Sequence, residues 1–180
     1  NCFSITHLGS FNQDRNPLKL WQALQTIGDE HPEFFKHLKI RLIGQTDPKI
    51  IESLSACGLS EFVEEHGYMA HNKSLEFLKK SQLLLLPLNN TPNVTGIIPG
   101  KFYEYLAVGR PILAVGPETG DCGNFLRQTN AGIICDFENM INLKFTVLRY
   151  FNLYLENNLI LPSSSIERFS RKNLVQNLVN

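Results

Sequence analysis

A chain of 180 residues is long enough for one domain with a real hydrophobic core. Lys plus Arg and Asp plus Glu number 17 each, so no overall field selects nucleic acid or an anionic membrane surface. Four scattered cysteines (Cys2, Cys57, Cys122, Cys135) without a C-x-x-C pair argue against a zinc site and a dense disulfide framework.

The chain opens at Asn1, without methionine or a secretory pattern, directly in the strand-like segment "CFSITHLG". The expectation is a piece of a longer cytoplasmic protein with reduced thiols. Its first strand is expected over 3–8 and its first helix over 17–30, where Pro17 suits the first turn and Leu20, Ala23, Leu24 and Ile27 form one stripe. A strand follows at 39–43. Asp47-Pro48 then reads as N-cap and first-turn proline of a helix at 47–57, stopped by Gly58. A strand at 62–66 is weakened by two glutamates, and Asn72 or Ser74 is expected to cap a helix at 72–81.

The run "LLLLPL" at 83–88 is far too short to span a membrane and reads as a buried strand. Helices at 100–108 and 120–129 alternate with strands at 111–115 and 132–136. A further helix is expected at 138–157, then the linker "NNLILPSSS" and a terminal helix at 165–179. Strands that are apolar on both sides, alternating with helices, imply a parallel sheet covered on both faces. The expected fold is α/β, Rossmann-like and doubly wound, with about six mainly parallel strands over 1–160; linker and helix occupy 161–180.

Ligands in such sheets bind outside the carboxyl ends of the strands, where strand order reverses. The segment "NNTPNVTGIIPG", 89–100, is a long loop at one such end, and loops of that length are often functional. With Pro99 at the first helical position, the N–H groups of Gly100, Lys101 and Phe102 are expected to lack helical partners and to face an anion. Lys101 adds a charge. Glu104, one turn on, can accept two hydroxyl hydrogen bonds from a ribose. Gly96 and Gly100 let the backbone come close. On an ordinary helix surface the same Lys-x-x-Glu spacing is a salt bridge. No GxGxxG, P-loop, metal-ligand or Ser-His-Asp pattern is present, and His7, His31, His37, His66 and His71 are dispersed.

The segments "HLGSFNQDRNPLKLWQAL", "IRLIGQ", "VEEHGYMAHNKSLEFLKKSQLLLLPL", "GKFYEYLAVGRPILAVGPETGD" and "NAGIICD" resemble, in order, the C-terminal half of a GT-B-fold retaining glycosyltransferase of the group 1 type. The resemblance covers roughly residues 3–136 and is most specific over "EYLAVGRPILAV". It implies a domain that binds a nucleoside-diphosphate sugar, without metal or other cofactor. An N-terminal domain for the acceptor, a glycan or lipid-linked sugar, is absent from this chain, which alone would be inactive. Bacterial-type polysaccharide or glycolipid assembly is the implied setting, in the cytoplasm or peripherally on the cytoplasmic membrane face, with no nucleic acid involved.

Arg15 falls where the family usually has a lysine for the diphosphate. Gly9 is followed by Ser10 where the family has a second basic residue. Glu104 matches the glutamate that ends the family's Glu-x7-Glu motif and binds ribose. The first glutamate would fall at Gly96, so the contact to the donor sugar differs. Gly67, Tyr68 and Met69 match the segment bordering the base. Two other readings stay open: a GT-B-fold nucleotide-sugar epimerase, and a non-catalytic nucleotide- or protein-binding α/β module.

Overall fold

The computed structural model describes residues 2–159. The linker and terminal helix expected over 161–180 lie outside the described residues. Six strands form one sheet: β1 (Phe3–Leu8), β2 (Leu38–Ile43), β3 (Val63–Glu65), β4 (Leu83–Pro87), β5 (Ile112–Val115) and β6 (Gly132–Cys135). Every neighbouring pair is parallel, and the order is β3-β2-β1-β4-β5-β6. That is the doubly wound order, with its reversal between β1 and β4. β1 pairs with β2 along its whole length, from Phe3 opposite Leu38 to Leu8 opposite Ile43. Its pairing with β4 covers only Ile5–Leu83 and Thr6–Leu84. The two central strands therefore part at their carboxyl ends.

Among the described residues seven α-helices, α1 (Leu18–Glu30), α2 (Pro32–His37), α3 (Pro48–Ala56), α4 (His71–Lys80), α5 (Lys101–Val108), α6 (Asp121–Thr129) and α7 (Met140–Leu155), cover both faces. Leu83, Leu85, Leu113 and Val115 meet buried residues of α1, α2, α3 and α7, including Leu24, Phe34, Ile50 and Val147. Leu84, Leu86, Ile112 and Ala114 face α4, α5 and α6 through Leu78, Phe102, Leu106 and Leu126. Adjacent strand residues point to opposite sides, and both sides are buried. That is why "LLLLP" shows no alternation. Each buried leucine, isoleucine or valine among them contributes about 1.5–3 kcal/mol of transfer free energy.

Several boundaries have local causes. Asp47 accepts from the Lys49 N–H at 2.9 Å and caps α3, and Gly58 ends that segment at φ 67°. α2 is not foreseen: His31 ends α1, and Pro32 restarts a helix at its first position. α4 begins at His71, preceded by Ala70, so neither Asn72 nor Ser74 caps it. Ser74 Oγ instead donates to the His71 carbonyl at 2.7 Å. β3 is only three residues long, and Glu64 within it is opposite Arg41 of β2, whose Nε donates to it at 2.8 Å.

Candidate functional site

The carboxyl edge is built on glycine. Gly9 leaves β1 at φ 97° and donates its N–H to the Ile43 carbonyl at 2.7 Å; Gly44 leaves β2 at φ 115°. A Cβ on Gly44 would lie 2.8 Å from the Gly9 oxygen, so two strand ends meet backbone to backbone. Gly44 in turn donates to the Gly67 carbonyl at 2.7 Å. The ends of β1, β2 and β3 are tied in series.

Where β1 and β4 part, two side chains bridge the gap. The fully buried Tyr105 accepts from the Leu8 N–H at 2.9 Å and donates to the Leu85 carbonyl at 3.3 Å. Burial raises its hydroxyl pKa, so it stays a donor. His7, 1% exposed, sets Nδ1 3.2 Å from the same Leu85 carbonyl and packs its ring, tilted by 34°, with its centroid 4.2 Å from that of Phe11. Its other nitrogen, Nε2, lies 3.3 Å from Lys101 Nζ. Burial, with the charge of Lys101 second, lowers the His7 pKa to about 3. The imidazole is therefore neutral, with Nδ1–H donating to Leu85 and Nε2 accepting from the lysine.

Lys101 lies against Gly9: a Cβ there would be 3.2 Å from its Nζ. Burial and then the charge of Arg15 lower its pKa to about 8, opposed by Glu104. Among the described residues no carboxylate lies within 4 Å of that ammonium, so the surface salt bridge with Glu104 does not form. Arg15 ends a 3-10 turn (Gln13–Arg15); its Nε donates to Asn89 Oδ1, and Nη1 lies 3.4 Å from the Ser10 carbonyl. The Asn90 N–H donates to the Asp14 carbonyl at 3.2 Å. The segment after β1 thus clasps the loop after β4.

That loop has structure of its own. A 3-10 turn (Val94–Gly96) anchors through buried Val94, and Gly120 packs on it so closely that a Cβ would lie 2.8 Å from the Thr95 oxygen. The Phe102 N–H donates to the Pro99 carbonyl at 2.9 Å, which corrects the expectation that it is free. Pro99 precedes the helix rather than opening it; Gly100 is the residue before α5, already at helical dihedrals. The Gly100 and Lys101 N–H groups have no backbone acceptor among the described residues.

The structure thus gathers Gly9, Ser10, Arg15, Gly100, Lys101 and Glu104 at the reversal between β1 and β4. Gly96 sits toward α6, with no atom within 4 Å of a Cβ built on it. Gly67, Tyr68 and Met69 follow β3, two strands away, with Tyr68 95% exposed. His7, Asn89 and Tyr105 belong to this assembly without a local signal in the sequence; the glycines after β1, β2, β3 and β5 are the one hint of the crowding. Among the described residues no group of three or more His, Cys, Asp or Glu converges as for a metal ion. No described helix is long and apolar enough to cross a membrane.

Solved structures share this fold at low identity. HepE from Anabaena, in complex with UDP-glucose, superposes with TM-score 0.72 at 14% identity, covering 99% of this chain and 48% of HepE. WaaG, a glycosyltransferase of lipopolysaccharide biosynthesis, gives 0.67 at 14%, covering 98% of this chain and 44% of WaaG. S. aureus TarM, as a mutant in complex with fondaparinux, α-GlcNAc-glycerol and UDP, also gives 0.67 at 14%, covering 100% of this chain and 36% of TarM. The chain therefore spans less than half the length of each of these three. No curated protein matches it. The family model described as "Glycosyl transferases group 1" matches residues 3–150, from the first residue of β1 into α7 and across the whole glycine-rich edge. By that match, the chain belongs to the group 1 glycosyl transferases.

Proposed function

We propose that this chain is the donor-binding half of a glycosyltransferase. The diphosphate of a nucleoside-diphosphate sugar lies between Arg15, Lys101 and the first turn of α5, and the ribose hydroxyls bond to Glu104. Gly67, Tyr68 and Met69 border the base. Gly96, where the family motif has a glutamate, faces the donor sugar without a carboxylate. The acceptor, a glycan or lipid-linked sugar, belongs to a domain outside this chain, and the working enzyme is cytoplasmic or peripheral to a membrane.

One observation carries the reading: two cations, Arg15 and Lys101, share the reversal point, and Lys101 is half-buried without a carboxylate within 4 Å among the described residues. Like charges held together out of water are costly, and an anion relieves both. The helix N-terminus adds to the attraction. UDP-glucose on HepE and UDP on TarM support a donor of this chemical class. In transfer, the bond between the anomeric carbon and the diphosphate oxygen breaks. The diphosphate leaves with the electron pair, stabilised by these donors, and the acceptor oxygen bonds to the carbon and loses its proton.

The test is calorimetric. A nucleoside diphosphate should bind more tightly than its monophosphate, with affinity falling as salt is added. Equal affinity for the two would remove the diphosphate role.

A further inference from the structure

Lys101 points where a flexible side chain has little reason to stay unless something holds it. Lysine has four rotatable bonds and strong hydration, and ordering it gives up most of that rotamer freedom. Here the acceptor that meets it is the Nε2 of a histidine buried inside β1, at 3.3 Å, and that histidine is fixed by Leu85 of β4 and by the Phe11 ring. His7 has no contact with the open edge itself, being 1% exposed.

We infer that His7 is a positioning residue. As a neutral acceptor locked to the Leu85 carbonyl, it holds the Lys101 ammonium against Gly9 at the mouth between β1 and β4. The use of that ammonium for a diphosphate rests on the donor-binding reading above; its positioning does not. The charged or titratable groups that act on Lys101 are Arg15 from the turn after β1, Glu104 from α5 and His7 from β1; those on His7 are Lys101 and Arg15. Of these, only the neutral imidazole offers the ammonium a hydrogen bond from inside the sheet. Its loss would leave the charged form less solvated and push the amine further toward neutrality.

Two variants separate positioning from packing. His7→Gln keeps an acceptor at the Nε2 position and a donor toward Leu85; His7→Leu keeps bulk but no polar atom. In ligand-free protein, acetylation of Lys101 is followed against pH by peptide mass spectrometry. The midpoint should lie near pH 8 in the parent, about one unit lower in His7→Leu, and near the parent value in His7→Gln. Inorganic pyrophosphate affinity at pH 7 should fall roughly tenfold or more in His7→Leu and be largely restored in His7→Gln. Identical acetylation midpoints in all three folded proteins would overturn the inference, whatever their melting temperatures. A shifted midpoint in a protein that binds no pyrophosphate would support the positioning and overturn the donor reading instead.

Discussion

Cations gather at both edges of the sheet, under opposite conditions. At the carboxyl edge, Arg15 and Lys101 sit among strand-end glycines and the first N–H groups of α5, and the hydrogen-bond partner of Lys101 among the described residues is a neutral imidazole. At the amino edge, a cavity of about 490 Å³ is lined by Cys2, Arg41, Lys80 and Arg110 among others. Arg41 is neutralised there by Glu64 at 2.8 Å, and Arg110 Nε donates to the Lys79 carbonyl at the end of α4 at 2.8 Å. In a parallel sheet with helical crossovers, helix N-termini face one edge and helix C-termini the other. At the second edge Arg110 caps a helix-end carbonyl and Arg41 is paired with a carboxylate. At the first edge Arg15 ties two loops together through Asn89 and the Ser10 carbonyl, while Lys101 has neither a carboxylate nor a carbonyl partner among the described residues. The number of positive charges does not distinguish the two regions; their place in the polarity of the fold does.

That contrast is most exposed to Lys101→Met. Losing a charged donor to the diphosphate should weaken a nucleoside diphosphate and inorganic pyrophosphate alike, by about 1.5–3 kcal/mol or roughly 10- to 150-fold, without lowering the melting temperature. Arg110→Met, at the other edge, should leave both affinities unchanged. Calorimetry on the two variants sharpens the comparison, and equal losses would erase it.

Glycines break it in a second way. Gly44→Ala places a methyl 2.8 Å from the Gly9 oxygen at φ 115°, whereas Gly58→Ala, at φ 67° beyond α3, meets nothing within 4 Å. Denaturant unfolding should show a loss of about 2–3 kcal/mol for the first and about 1 kcal/mol for the second. Glu104→Gln should cost about 1.5 kcal/mol, or roughly tenfold, on a nucleoside diphosphate, less than Gly44→Ala costs the fold. Pyrophosphate, which has no ribose, should bind nearly as before; an equal loss for both ligands would make Glu104 a partner of the phosphate-binding charges instead.

The buried histidine gives a pH signature with a definite sign. His7 has its folded pKa lowered from 6.5 to about 3. Between those values the unfolded chain binds a proton that the folded chain does not, so stability falls as pH falls below 6.5. The expected slope is about 1.4 kcal/mol per pH unit. Urea titrations between pH 6.5 and 5 should show it in the parent and not in His7→Gln.

The sheet was legible because burial on two faces leaves a sequence trace: "FSITHL", "LLLLP" and "ILAV" could be little else in an alternating α/β pattern. α2 was hidden because Pro32 follows α1 after a single residue, so one helix end and the next helix start overlap. Ser74 misled because a hydroxyl can serve either a cap or a carbonyl in the first turn, and here it takes the carbonyl. Of the site, the segments with local chemistry could be read: a glycine after a strand, a proline before a helix, a lysine and a glutamate one turn apart. His7 could not. Its partners, Leu85 and Lys101, are 78 and 94 positions away, and only the parting of β1 from β4 brings them together.

An anion bound at the reversal between β1 and β4 would be detected most directly by titrating the ¹⁵N-labelled chain with inorganic pyrophosphate and following backbone amide shifts. Saturable shifts are expected at Gly9, Ser10, Gly100 and Lys101, with the amides of Arg41 and Arg110 unmoved. Shifts centred on Arg41 and Arg110, or none at the first four amides, would contradict binding at that reversal.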